Sequence, residues 1–218
     1  MQENVMFEQE KKEIIKAGLA LKENKLISLS GGNVSLRLPD DKILVTPSGM
    51  AYETMEPDDV VVVDLDGNVI EGKRRPSVDS IALLHIYKNM DRVKSIIHTH
   101  QPYATAAGMV WDQLPFAVTT LANAVAGVVN TAPFSSAASL AMGEETVNNI
   151  GDSNAVILKN HGVITVGDSI KQALYAAVYM EDALKTLFIA KTYGEPELLT
   201  DEQYWEAVEV FKDYGQKK

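Results

Sequence analysis

Along the chain, two hydrophobic periods take turns. Residues 6–23, MFEQEKKEIIKAGLALKE, set acidic and basic residues on one side of a 3.6-residue repeat and predict a helix. Residues 26–38, LISLSGGNVSLRL, alternate small polar and apolar side chains about a Gly-Gly pair, which predicts strand, tight loop, strand. A short strand over 41–50 ends in a Pro-Ser-Gly turn. The run 58–72, DDVVVVDLDGNVIEG, predicts a β-hairpin with Asp-Gly-Asn at its tip. Over 77–90, Ile81, Leu84 and Tyr87 recur at helical spacing, with Ser77 or Asp79 near the helix start.

Residues 93–100, VKSIIHTH, predict a strand, and 102–110 a helix of small residues. The segment 116–127 fits either state, and 144–151 reads as the end of a further helix. Two strand segments over 154–167 bracket Asn-His-Gly. A long helix with a broad apolar face covers 169–194, and a short one lies within DEQYWEAVEVFKDYG in the tail. Strands and helices mix without a regular βαβ beat. The expectation is one α/β domain over 1–218, with a central, mainly antiparallel sheet flanked by helices.

Composition narrows the function classes. With 218 residues and 46% hydrophobic side chains, the chain can bury a substantial core as one large domain. A net charge of −10 disfavours nucleic acid and anionic membrane surfaces as partners, although a local pocket can still take a small anion. There is no cysteine, which removes disulfides, thiolate nucleophiles and Cys-type zinc sites. Any metal must sit on histidine and carboxylate. The N-terminus lacks a secretory pattern and no apolar run reaches ~18 residues, so a cytoplasmic location is expected.

Only four histidines are present, and two of them stand at i and i+2 in the predicted strand, His98 and His100. Alternation aims both to one face. That pattern serves equally a half-buried strand pair and the start of a metal site. His161, in KNHG after the apolar run AVIL, stands where a strand ends, and Gly162 is expected to let the backbone turn. Three histidines and one open position form the ligand set of a catalytic zinc site. His85, inside ALLHIY, reads as a packed or rim side chain.

Three turns suit an anion: SGGNVS at 30–35, TPSGM at 46–50 and RRPSVDS at 74–80, the last opening a helix. Asn33, Ser48, the Gly49 amide and Ser77 could together cradle a phosphate. Each turn alone is equally an ordinary surface turn, and Asp79 alone is equally a first-turn carboxylate facing the helix dipole.

The order GGNVS, TPSG, DLDGNVIEGKRRPSVD, HTH, NHG and FKDYG resembles the class II aldolase and adducin family over about residues 10–215. That family includes L-fuculose-1-phosphate aldolase, L-rhamnulose-1-phosphate aldolase, L-ribulose-5-phosphate 4-epimerase and the adducin head domain. The resemblance implies a C4 homotetramer and a divalent ion, typically Zn2+, on His98, His100 and His161. It implies a phosphate site at Gly32, Asn33, Ser48, Gly49 and Ser77, an acid at Asp79, and a C-terminal catalytic tyrosine, Tyr214. By this likeness the expected reaction is reversible cleavage of a ketose 1-phosphate, such as L-fuculose 1-phosphate, to dihydroxyacetone phosphate and a short aldehyde such as lactaldehyde. The family's epimerase chemistry on ribulose 5-phosphate is the alternative, and a non-catalytic adducin-like module a second one, against which the three intact histidines weigh.

Several positions depart from the family pattern. The aldolases carry glutamate where this chain has Asp79, one methylene shorter, or roughly 1.5 Å of reach. That shortening leaves Asp79 open to serving as a fourth metal ligand instead of a proton shuttle. Val78 replaces the second serine of the Pro-Ser-Ser motif. Thr119 falls where fuculose aldolase lends a tyrosine from a neighbouring subunit, and Asn123 where the epimerases carry an aspartate. Tyr214 favours the aldolase side of the family.

Overall fold

The structure is a computed structural model, and it describes residues 7–211. Eight strands form one sheet: β1 Asn33–Arg37, β2 Ile43–Val45, β3 Val61–Val63, β4 Val69–Glu71, β5 Ser95–Thr99, β6 Thr131–Ala132, β7 Ala155–Leu158 and β8 Gly162–Gly167. Their order is β4-β3-β2-β1-β5-β8-β7-β6. Every neighbouring pair is antiparallel except β6 and β7, which run parallel. Seven α-helices accompany the sheet among the described residues: α1 Glu8–Glu23, α2 Ser80–Asn89, α3 Pro102–Gly108, α4 Thr119–Val125, α5 Leu140–Ile150, α6 Ile170–Tyr193 and α7 Asp201–Phe211. The expected α/β class with a mainly antiparallel central sheet is what the chain adopts.

Strand alternation sorts the core into two layers. Ile43, Val45, Ile96, Val156, Leu158, Ile164 and Val166 pack on one face with residues of α2 and α5. Their sequence neighbours Leu44 and Ile97 turn to the other face, against α1 and α6. Ala155, Ile157 and Val163 turn the same way, against residues of α3, α4 and α6. Both faces are covered, which explains why strands such as AVIL carry no polar residue at all. Each fully buried aliphatic side chain contributes roughly 1.5–3 kcal/mol. The tail helix α7 docks through Tyr204, whose ring stacks on Phe116 at 3.9 Å and whose hydroxyl donates to the Gly127 carbonyl at 2.7 Å.

Three local expectations differ from the structure, and one ambiguous stretch is resolved by it. Residues 26–32 form turns instead of a first strand. Lys25 and Leu29 adopt left-handed φ of 60° and 54°, and Gly31 N–H closes a turn on the Ser28 carbonyl. Leu26 and Ile27 still enter the core, so their apolar signal reported burial and not extension. In α2 the buried face is Ala82, Leu83, Leu84, Ile86 and Tyr87, whereas Ile81 is 48% exposed. The ambiguous stretch 116–127 contains the helix α4, and the two-residue β6 had no sequence signal. At the β7–β8 turn the left-handed residue is Asn160, φ 59°, not Gly162.

Candidate active site

The chemistry gathers at one end of the central strands. Asn33, the first residue of β1, pairs directly with His98 near the end of β5. Directly opposed residues project to the same side of the sheet, and here that side carries Ile96 and the helix α2. Asp79 is the residue preceding α2. Strand register and helix placement thus deliver Asn33, His98 and Asp79 to one point.

His100 lies one residue beyond β5, and His161 in the turn between β7 and β8. The Nε2 atoms of His98 and His100 are 3.0 Å apart. The His161 ring centroid lies 4.8 Å from that of His98 and 5.3 Å from that of His100. One ligand atom from each ring falls within 4.8 Å of the others, and among the described residues these three form the group able to share an ion. His161 thus converges with the strand pair.

The glycines explain how three rings fit. A Cβ on Gly162 would stand 2.3 Å from the Thr99 carbonyl oxygen and 2.9 Å from Cδ2 of His100. Gly162 is needed for close approach and not for the turn itself. Gly32 has φ +74°, and a Cβ there would meet the His98 carbonyl oxygen at 2.6 Å. Its backbone therefore lies against the histidine strand in a conformation that glycine adopts without strain.

The donor set suits a divalent cation. His98 Nδ1 faces the Val163 carbonyl oxygen at 2.9 Å, so the neutral ring carries its proton on Nδ1 and leaves a lone pair on Nε2. Burial, then the neighbouring His100 and His161, push His98 from 6.5 down to about 3. Burial also lowers His100 and His161, with the charge of Asp79 opposing it at both. The Nδ1 of His161 is buried without a hydrogen-bond partner. Neutral imidazoles with converging lone pairs are what a three-histidine zinc site requires.

Asp79 stands beside the histidines and outside their group of converging atoms. Its Oδ2 accepts from Asn33 Nδ2 at 2.9 Å and its Oδ1 from the Ala138 N–H at 3.1 Å. The structure brings the residues expected to cradle a phosphate to the same end. Pro47 bridges Pro76, Ser48 N–H donates to the Arg75 carbonyl at 2.9 Å, and Ser77 N–H donates to the Thr46 carbonyl at 3.0 Å. The turns at 46–50 and 74–80 therefore run side by side. Thr46 N–H donates in turn to Val34, next to Asn33. Ser48 and Gly49 are exposed and Ser77 is buried. A Cβ on Gly49 would meet nothing within 4 Å, so open space adjoins it. Val78 is 50% exposed beside this cradle.

Thr119 and Asn123 lie elsewhere. They line clefts beside α4 and α7 whose walls include none of the three histidines. The larger, about 630 Å³, is bounded by Asn123, Asn154, Lys171 and Tyr175. Tyr214 lies outside the described residues.

Sequence reading missed the supports of this site. Thr99 Oγ1 donates to Gln101 Oε1 at 2.7 Å, and Gln101 Nε2 donates to the Ala177 carbonyl at 3.2 Å. Glu181 of α6 accepts the Tyr103 and Ala104 N–H groups at 2.9 and 3.0 Å, holding the start of α3 just after His100. Burial raises the Glu181 pKa against those donors. A glutamate on the apolar face of a long helix was the available signal.

Comparison with known proteins agrees with this geometry. The model of the class II aldolase and adducin N-terminal domain matches residues 12–188. A 5-deoxy-D-ribulose 1-phosphate aldolase of Bacillus thuringiensis serovar kurstaki is 32% identical over 98% of this chain and 100% of that protein. An L-fuculose phosphate aldolase of Methanococcus maripaludis is 36% identical over 78% of this chain and 91% of that protein. A solved L-fuculose 1-phosphate aldolase superposes with a TM-score of 0.87 at 30% identity, over 97% of this chain and 98% of that one.

Proposed function

The chain belongs to the class II aldolase and adducin family, and on that premise we propose that it cleaves a deoxyketose 1-phosphate reversibly to dihydroxyacetone phosphate and a short aldehyde. The observation that carries this reading is the convergence of His98, His100 and His161 beside a buried carboxylate, Asp79. The full-length similarity to a 5-deoxy-D-ribulose 1-phosphate aldolase favours a five-carbon substrate, with L-fuculose 1-phosphate next.

The three histidines would hold a divalent ion, Zn2+ by their donor type, which supplies a Lewis acid where charge develops on the substrate carbonyl oxygen. Ser48, the Gly49 amide, Ser77 and Asn33, with Gly32 giving backbone access, would fix the phosphate and so the direction of the breaking C3–C4 bond. Asp79 would return a proton to C3 after cleavage and remove it in the synthetic direction. Tyr214, by family likeness contributed from an adjacent subunit of a homotetramer, would serve the departing aldehyde. Cytoplasmic location belongs to the same proposal; among the described residues no helix is long and apolar enough to cross a membrane. The domain is taken to extend over 1–218.

Asp79 in place of glutamate favours a second reading, a pentulose 5-phosphate 4-epimerase. One assay separates the two. The metal-loaded protein is mixed with 5-deoxyribulose 1-phosphate, L-fuculose 1-phosphate and ribulose 5-phosphate, and dihydroxyacetone phosphate is measured. Release from a 1-phosphate is expected. C4 inversion of ribulose 5-phosphate without any release would replace the aldolase with the epimerase.

A further inference from the structure

This inference rests on the aldolase reading, in which the aim of Asp79 governs the proton step. We infer that Asn33 is a positioning residue for Asp79, beyond the phosphate contact that family likeness gives it. Its amide and the Ala138 N–H hold the two carboxylate oxygens, tying the proton-handling group to the strand pair that carries His98.

Three observations carry the assignment. The first is geometry. Nδ2 of Asn33 lies 2.9 Å from Asp79 Oδ2, and the Ala138 N–H lies 3.1 Å from Oδ1. Asn33 is 1% exposed and Asp79 8%, so water competes weakly for the contact between them, whereas Ala138 on the other side of the carboxylate is exposed. Asn33 is also the direct cross-strand partner of His98, so one ladder fixes both.

The second is the orientation of the amide. An ionised carboxylate only accepts hydrogen bonds, so the Asn33 amide must present Nδ2 to it. That choice leaves Asn33 Oδ1 buried without a partner. A buried acceptor left unpaired is a cost that native structures seldom accept, and here it accompanies a charge-assisted bond to Asp79. One Nδ2 hydrogen remains for a phosphate oxygen, so the two duties are compatible.

The third is backbone strain. Ala138 adopts φ +55°, a conformation uncommon outside glycine, immediately before Ser139, the N-cap of α5. In that conformation its N–H reaches Asp79. The aspartate is one methylene shorter than the glutamate of the aldolases, so its carboxylate swings through a smaller arc. Two fixed donors then determine its aim.

The proton step can be isolated from bond cleavage. The metal-loaded enzyme is incubated in D2O with dihydroxyacetone phosphate alone, and exchange of a hydroxymethyl C–H for deuterium is followed by proton NMR. Asp79 removes the proton, and a solvent-derived deuteron is returned to the same carbon. Phosphate-free dihydroxyacetone is run in parallel. Asn33→Ala is expected to slow exchange at saturation by roughly 10–100-fold, and to slow the phosphate-free exchange by a similar factor. A raised KM for dihydroxyacetone phosphate, with saturated exchange unchanged and dihydroxyacetone unaffected, would make Asn33 a phosphate ligand only and overturn the inference. Asn33→Ser, which keeps a small polar side chain in the strand, provides the same readout if the alanine variant does not fold. Metal content and thermal melting are measured on both. No exchange in the wild-type protein would remove the aldolase reading and this inference with it. Wild-type exchange matched by both variants would remove this inference alone.

Discussion

The histidine cluster and the anion loops share one end of the sheet, yet they are built differently. His98 sits in a two-sided ladder, opposite Asn33 on one side and Ile164 on the other. His161 sits in a turn whose close packing leaves no room for a Cβ at Gly162. The turns at 46–50 and 74–80 are joined by single backbone bonds and one isolated bridge, and open space adjoins Gly49. A metal site must hold its donors to within a few tenths of an ångström, and here the strand ladder fixes His98 directly and anchors the chain next to His100 and His161. A phosphate has many acceptor oxygens and tolerates a looser frame.

If the ladder-built cluster is the chemical centre, its loss has the largest effect. His98→Ala should remove the bound divalent ion and lower cleavage at least ~10³-fold, about 4 kcal/mol of transition-state stabilisation. Metal analysis beside a dihydroxyacetone phosphate assay checks this. Full activity in metal-free protein would break the comparison, because the loops alone would then be the working site.

Two glycine substitutions sharpen it. Gly162→Ala drives a methyl into the Thr99 carbonyl oxygen and the His100 ring, and the Thr99 contact, being backbone, cannot be relieved by a side-chain rotation. Stability should fall by about 1–3 kcal/mol, and metal affinity by roughly 10–100-fold. Gly49→Ala meets no atom within 4 Å but must hold φ +69°. Its cost is roughly 1–2 kcal/mol of backbone strain, with metal content unchanged and a raised KM confined to phosphorylated substrate. Urea unfolding, metal titration and steady-state kinetics on both variants test the contrast. Equal loss of metal in both would mean that loops and ladder form one rigid unit.

The same contrast explains what could be read from the sequence. Alternation and apolar runs reveal strands directly, so β5, β7 and β8 were legible, and with them the i, i+2 spacing of His98 and His100. Leu26 and Ile27 misled because burial alone carries no period, and left-handed turns at Lys25 and Leu29 leave no hydrophobic trace. The two-residue β6 is too short to have a period at all. Gly162 was read as a turn residue, although its necessity comes from Thr99, which is distant in sequence. The bonds from Asn33 and Ala138 to Asp79 span 46 and 59 residues. Such contacts follow from the fold, and no local pattern announces them.

The last expected effect is a pH dependence that arises on the ladder side. Burial, with His100 and His161 adding to it, holds His98 at about 3 against 6.5 in an open chain. Below pH 6.5 the unfolded chain takes up a proton there that the folded metal-free protein refuses. Stability is therefore complete above 6.5 and is lost progressively as pH falls from 6.5 towards 3. The limit is about 1.4 kcal/mol per pH unit for one proton. His100 and His161 are lowered in the same direction and add to the slope. Ser48 and Ser77 do not titrate in this range, so these two side chains add nothing to the slope. Urea midpoints of the metal-free protein should be flat between pH 7 and 8 and decline between 6.5 and 5. His98→Gln, which keeps a polar side chain but cannot be protonated, should make that decline shallower. An equally steep decline in the variant would place the acid-sensitive group elsewhere in the fold.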